Sequence, residues 1–391
     1  MRGGDSNAVD PFVTCSMKKS SSKHTLAVHA GSLGDRLYGG RVSPIYPASA
    51  YDYEQEVRYP RYFNTPNQKA VVEKMAALEN AEDGLMFSTG MAAIMTSMLA
   101  MLKAGDHVVM QNDLYGGTHH AAMNEFSRYG IGYTMVDASN PANFEKAINK
   151  NTKVIYIETP SNPLLKITDI TSVSRIARKH KLVSMIDNTF ASPVNQNPID
   201  LGIDVVLHSG TKYIGGHSDL MCGVMVSSKK LTERIKASGM HFGGNVDAHT
   251  CYTVERSLKT LVLRVGQQNG NAFALAEFLS GEPRVGNVYY PGLKKHPGHA
   301  IAKKQMTGGF GGMMSFEVKG DPDKFMKKLT LIRRAISLGG VESTICSSVK
   351  TSHAKLTPAE RAKVGISDKL LRFSVGIEDV KDLIQDIKQA L

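Results

Sequence analysis

The chain has 391 residues, 42% of them hydrophobic and 21% charged, with a formal net charge of +11. That length supports a large core split into two or three lobes, and the composition is that of a globular protein, not a disordered or fibrous one. The positive balance invites a nucleic-acid reading, but the basic residues fall in scattered pairs (Lys18-Lys19, Lys229-Lys230, Lys294-Lys295, Lys327-Lys328) without a stripe or interleaved aromatics, which favours solvated faces and small anionic ligands.

Cys15, Cys222, Cys251 and Cys346 show neither C-x-x-C nor metal-ligand spacing, as expected of reduced thiols in a cytoplasmic protein. No apolar run is long enough to span a membrane, and residues 1–23 lack the apolar segment of a secretory signal. Residues 24–66 carry many Tyr, Pro and Gly with little periodicity, and such a long irregular arm is usually functional or partner-bound. From Gln68 to Asn80 the pattern turns helical, with Val71, Val72, Met75 and Leu78 on one face.

Strands and helices then alternate. The strands are expected at 84–87, 107–111, 132–136, 153–158, 182–186, 204–207 and 222–226. Alternation predicts an α/β fold, a mostly parallel seven-stranded sheet flanked by helices. One long helix over about 250–280 leads to a smaller α+β C-terminal domain with strands 313–318 and 370–375. Its last helix is amphipathic through Val380, Leu383, Ile384, Ile387 and Leu391. The expected divisions are 1–66 (extension and arm), 67–260 (large domain) and 261–391 (C-terminal domain with its linking helix).

In open α/β sheets ligands bind beyond the carboxyl ends of the strands. Lys212 falls there, in Ser209-Gly210-Thr211-Lys212-Tyr213, and Asp187 ends the preceding strand. A lysine beside two hydroxyls suits pyridoxal phosphate: the amine condenses with the aldehyde, Ser209 and Thr211 bond the phosphate, and Asp187 keeps the ring nitrogen protonated. Taken alone, Lys212 would be an ordinary solvated loop lysine; its placement with the other three carries the reading. The turn Ser88-Thr89-Gly90-Met91 opens a helix, where the amides of Gly90 and Met91 would donate to a phosphate, although a plain N-cap explains the turn equally well. Tyr115, flanked by glycines, could lie on a cofactor face or pack as a core ring. Asn162 could bond a phenolic oxygen or a carboxylate, or simply form a turn. Arg372, a charge inside an apolar run, suits bidentate capture of an amino-acid carboxylate. Gly308-Gly309-Phe310-Gly311-Gly312 precedes a strand and is no dinucleotide fingerprint, and His119-His120 lacks the partners of a metal site.

Together these residues resemble the Cys/Met-metabolism, or transsulfuration, family of pyridoxal-phosphate enzymes, from about Leu26 to the C-terminus. The ordered motifs include Tyr59-Pro60-Arg61, Ser88-Thr89-Gly90-Met91, Tyr115-Gly116-Gly117-Thr118, Thr159-Pro160-Ser161-Asn162-Pro163, Asp187-Asn188-Thr189, Ser209-Gly210-Thr211-Lys212-Tyr213 and Arg372-Phe373-Ser374-Val375-Gly376. The resemblance implies a fold-type-I transferase that cleaves cystathionine or a related sulfur amino acid by γ- or β-elimination. Its rivals are γ-replacement on a homoserine ester and a non-catalytic pyridoxal-phosphate-binding protein. Lys212 would be the cofactor lysine and general base, and Tyr115 the stacking ring and proton donor. Asn162, Ser337 and Arg372 would grip the α-carboxylate. Tyr59 and Arg61 would reach the phosphate of a neighbouring subunit, in a homodimer with shared sites assembled into a homotetramer. Distal substrate contacts would come from Glu342, Arg58 and His120. Arg58 stands where the cystathionine enzymes commonly carry an acid and His120 where they commonly carry arginine, which implies a more tolerant distal pocket.

Overall fold

The computed structural model describes residues 17, 20–35, 37–54, 56–351, 357, 361 and 365–391. Cys15 and the pair Lys18-Lys19 lie outside the described residues. The large sheet is built from β1 (Asp83–Phe87), β2 (His107–Gln111), β3 (Gly132–Val136), β4 (Thr152–Glu158), β5 (Val183–Asp187), β6 (Val205–Ser209) and β7 (Gly223–Ser227). Their order is β1-β7-β6-β5-β4-β2-β3, with β7 antiparallel to both neighbours and the other pairs parallel. Strands such as His107-Val108-Val109-Met110-Gln111 are buried throughout, as a sheet covered on both faces requires. Their alternate side chains feed two cores. Val109, Ile155, Ile157, Ile186 and Val206 pack on one face, and Val108, Met110, Val154, Met185 and Leu207 on the other. Each such side chain contributes about 1.5–3 kcal/mol of burial, so the strand ends are held on a stiff platform.

The smaller sheet contains β8 (Val285–Tyr289), β9 (Met313–Val318), β10 (Arg333–Arg334), β11 (Thr344–Ser347) and β12 (Leu370–Ser374), in the order β10-β11-β12-β9-β8. The sequence reading found only β9 and β12 of these. It also expected one helix over about 250–280, where the structure has two, Ala248–Leu258 and Leu261–Gly281. The break at Lys259-Thr260 has a tertiary cause. Arg264 reaches across it, donating to Thr260 Oγ1 (3.2 Å), Ser257 O (2.9 Å) and Tyr213 O (2.8 Å). That guanidinium ties the helix break to the residue after Lys212. The arm helix runs Pro66–Glu79, with Pro66 in its first turn and Gln68 Oε1 accepting the N–H of Thr65 (3.2 Å). The C-terminal helix Val380–Ala390 buries Leu383 and Ile387 of the expected apolar face, and Val380, Ile384 and Leu391 pack half-buried against the same core.

Candidate active site

The chain order reverses between β2 and β4, so the connections after these strands part and leave a crevice at their carboxyl ends. A cavity of about 670 Å³ opens there. β5 delivers Asp187 and β6 delivers Ser209 as their last residues, and β6 runs two residues further than the sequence suggested. The next turn is closed by Lys212 N donating to Ser209 O (3.1 Å), which lifts Lys212 over the sheet edge. Its amine donates to Ser337 Oγ (2.7 Å). Ser337 adopts a left-handed φ of 77°, a conformation costly for a residue with a Cβ and therefore imposed by its surroundings. Its carbonyl accepts from Arg372 Nη2 (3.1 Å), and Arg372 Nη1 donates to Asn162 Oδ1 (3.3 Å). Lysine, serine, arginine and asparagine thus form one connected edge, contributed by both sheets.

The opposite edge is the start of the helix Gly90–Met101. Thr89 is its N-cap, accepting from Ala92 N (2.9 Å), so the N–H groups of Gly90 and Met91 lie outside the helical ladder at the positive helix end. A Cβ on Gly90 would come within 2.9 Å of Ser209 Cβ, so only glycine lets the helix end meet the β6 turn. Thr211 Oγ1 accepts from Cys222 N (3.2 Å), which fixes the second hydroxyl of that turn. Tyr115 ends the connection after β2 with its ring about half exposed. Gly117 makes room for it, since a Cβ there would lie 2.5 Å from the ring.

Two carboxyl groups form the floor. Glu158 and Asp187 sit opposite each other in the β4–β5 register. Burial, and then the neighbouring Asp187, pushes the Glu158 carboxyl well above its usual range, against N–H bonds from Tyr115 (2.7 Å) and Asn162. Burial also raises Asp187, held back by Thr189, whose N–H donates to Asp187 Oδ1 (2.9 Å). Thr189 Oγ1 in turn accepts from Ser209 N (2.8 Å), so one threonine orients both the Asp187 carboxylate and the Ser209 backbone. Burial, then the charge of Arg372, lowers the proton affinity of Lys212, with Asp187 opposing. The amine is thereby brought nearer to its reactive neutral form.

The cavity gathers Gly90, Met91, Tyr115, Asn162, Asp187, Ser209, Thr211, Lys212, Ser337 and Arg372. Five expected site residues stand outside its lining. Tyr59 and Arg61 project from the arm, where Arg61 Nη1 donates to Met240 O (2.6 Å) and the guanidinium stacks on Tyr59. Arg58 pairs with Glu56 (2.6 Å). His120 packs edge-on to His119, and exposed Glu342 lies beside Gly340. The sequence reading overlooked Glu158, Thr189 and Lys350. The first two carried a signal, an acid ending β4 level with Asp187 and a hydroxyl two residues after that aspartate.

Pyridoxal phosphate asks a protein for an amine of depressed basicity, an anion cradle and a buried carboxyl for its ring nitrogen. Lys212, the Gly90 helix end with Ser209 and Thr211, and Asp187 meet these three demands from one cavity. On a sheet of this topology, that fit defines a fold-type-I pyridoxal-phosphate enzyme. The chain belongs to the Cys/Met metabolism PLP-dependent enzyme family, whose model matches residues 24–391. It is 44% identical over 376 residues to cystathionine gamma-lyase of Bacillus subtilis, covering 94% of this chain and 99% of that protein. It is 43% identical over 379 residues to cystathionine beta-lyase of Lactococcus lactis subsp. cremoris, covering 95% and 99%. Its structure superposes on cystathionine gamma-lyase from Lactobacillus plantarum complexed with L-serine with a TM-score of 0.91, at 38% identity, over 95% of this chain and 98% of that one. Among the described residues no cluster of His, Cys, Asp or Glu could hold a metal, and no helix is long and apolar enough to cross a membrane.

Proposed function

We propose that this enzyme is a carbon–sulfur lyase of transsulfuration, acting on cystathionine or a related sulfur amino acid by γ- or β-elimination. The observation that carries the reading is the Lys212–Ser337–Arg372–Asn162 edge, which sets a reactive amine beside a carboxylate clamp. When bound, the cofactor supplies an electron sink for negative charge at the substrate α-carbon. Gly90, Met91, Ser209 and Thr211 would hold its phosphate, Asp187 its ring nitrogen, and Tyr115 its face. Arg372 and Asn162 receive the substrate carboxylate and aim the α-hydrogen at Lys212 Nζ. That amine, its proton affinity lowered by burial and then by the charge of Arg372, takes the proton as general base. Ser337 Oγ, already its hydrogen-bond partner, steers the amine during transfer. The Tyr115 hydroxyl would protonate the departing sulfur.

The chain functions as a homodimer, and further as a homotetramer, with Tyr59 and Arg61 completing the partner's phosphate site. Supporting this, both residues stand outside their own cavity on an arm exposing Tyr38 and Tyr53, which are 86% and 81% accessible. The test is a substrate panel on purified protein. L-Cystathionine alone should yield a free thiol and a 2-oxo acid. Turnover only with O-succinyl- or O-acetylhomoserine plus cysteine would replace elimination by γ-replacement.

A further inference from the structure

Three cations line the active-site cavity among the described residues, and only two have work in the proposed reaction. Lys212 is committed to Ser337 and Arg372 to Ser337 and Asn162. The third, Lys350, sits on the short turn Ser348–Lys350 directly after β11. Its side chain is 62% exposed, and its ammonium pairs with Asp323 on the helix Pro322–Lys328. The acids of the lining, Glu158 and Asp187, are both buried at the floor, so the cavity runs from a carboxyl floor to an outer end that carries Lys350.

The position of Lys350 is built in. β11 pairs with β12 with Cys346 opposite Arg372, and the turn is fastened back by Thr351 Oγ1 donating to Ser347 O (2.8 Å). Lys350 is therefore carried at a set offset from the arginine that would receive the α-carboxylate, and farther toward solvent. Of the residues expected from sequence to meet the distal end of a substrate, Glu342 and His120 do not line this cavity, and Arg58 lies on the arm beside Tyr59. An ammonium has three donor hydrogens, and an exposed ion pair such as Lys350–Asp323 contributes little stability, so a donor is readily turned to a ligand.

We infer that Lys350 is a specificity-determining residue that receives an anionic group at the distal end of the substrate side chain. This rests on the lyase reading and names its substrate class: L-α-amino acids with a carboxylate beyond the γ-position. The second amino-acid end of cystathionine and a succinyl ester belong to it; methionine and an acetyl ester do not.

The experiment is titration calorimetry of the holoenzyme with L-2-aminosuberate, which carries a distal carboxylate at cystathionine's length, and with uncharged L-2-aminooctanoate. In Lys350→Ala the ratio of the two affinities should shift about tenfold against aminosuberate, and further in Lys350→Glu. Lys350→Arg should restore it. An unchanged ratio, or an equal loss on both ligands, overturns the subsite. Because the readout is binding, wild-type protein that fails to turn over sulfur amino acids overturns the lyase reading instead. The side chain is exposed, so all three variants should keep the wild-type melting temperature.

Discussion

At the scale of single residues, the site is governed by what burial does to charge. Lys212 is both the amine and the base of the proposed reaction. Lys212→Ala should lower turnover by about 10²–10⁴-fold with the fold intact, the usual worth of a positioned base. Borohydride should fix the cofactor to the peptide containing Lys212, and label on any other lysine would refute the assignment. Glu158 offers a second test. Its carboxyl is raised above the ordinary 4.5, so the folded state holds a proton that the unfolded chain releases. The associated stability is present below about pH 4.5 and is lost as pH rises toward the folded value. Glu158→Gln keeps an acceptor for the Tyr115 N–H but cannot ionise. Its melting temperature relative to wild type should therefore climb by about 2 °C or more between pH 5 and pH 8. A difference that stays flat would mean that Glu158 is already ionised in the native protein.

At the scale of elements, the site exists because strand ends and one helix end are brought to the same edge. The N-terminus of the helix Gly90–Met101 meets the end of β6 with no room for a side chain at Gly90. Gly90→Ala should force these elements apart and weaken cofactor affinity about tenfold, readable from cofactor fluorescence, while leaving the cores alone. Affinity within twofold of wild type would show that the contact is slack. The seven strands of the large sheet were legible because their residues are short apolar runs between turn formers, and the residues gathered in the cavity because they follow those runs. β10, with only Arg333 and Arg334, both exposed, has no such signature, and β11 (Thr344–Ser347) is too short to show one. The interrupted helix was misread for a different reason: apolar spacing continues across Lys259-Thr260, and the break depends on where Arg264 reaches. Glu158 escaped notice because a carboxylate at a strand end reads as a solvated edge until burial beside Asp187 is known. Lys350 carries no sequence signature, since a single lysine of a basic chain is by default solvated.

At the scale of the whole molecule, the cavity of one chain gathers most of the expected site residues, while Tyr59 and Arg61 on its arm stand outside it. Tyr59 and Arg61 sit on the short helical turn Pro60–Tyr62 and its cap, docked by Arg61 on the end of the helix Lys229–Phe242. A second cavity of about 490 Å³ lies beside them, and Met221, itself exposed, borders both cavities. Apolar Met221 and Phe242 in the open, 60% and 59% accessible, suit burial against a second copy of the chain. If the arm completes a partner's site, each site needs Lys212 from one chain and Arg61 from the other. Arg61→Ala and Lys212→Ala proteins should each be inactive or nearly so. Mixed under conditions of proven subunit exchange, half of the dimers formed from equal amounts should be hybrids, each with one fully wild-type site and one doubly altered site. About a quarter of wild-type activity should then return, since half of the dimers carry one working site out of two. Recovery fails if both residues must come from the same chain, because every site in a hybrid would then carry one lesion, so the mixing experiment decides between a shared site and a self-contained one.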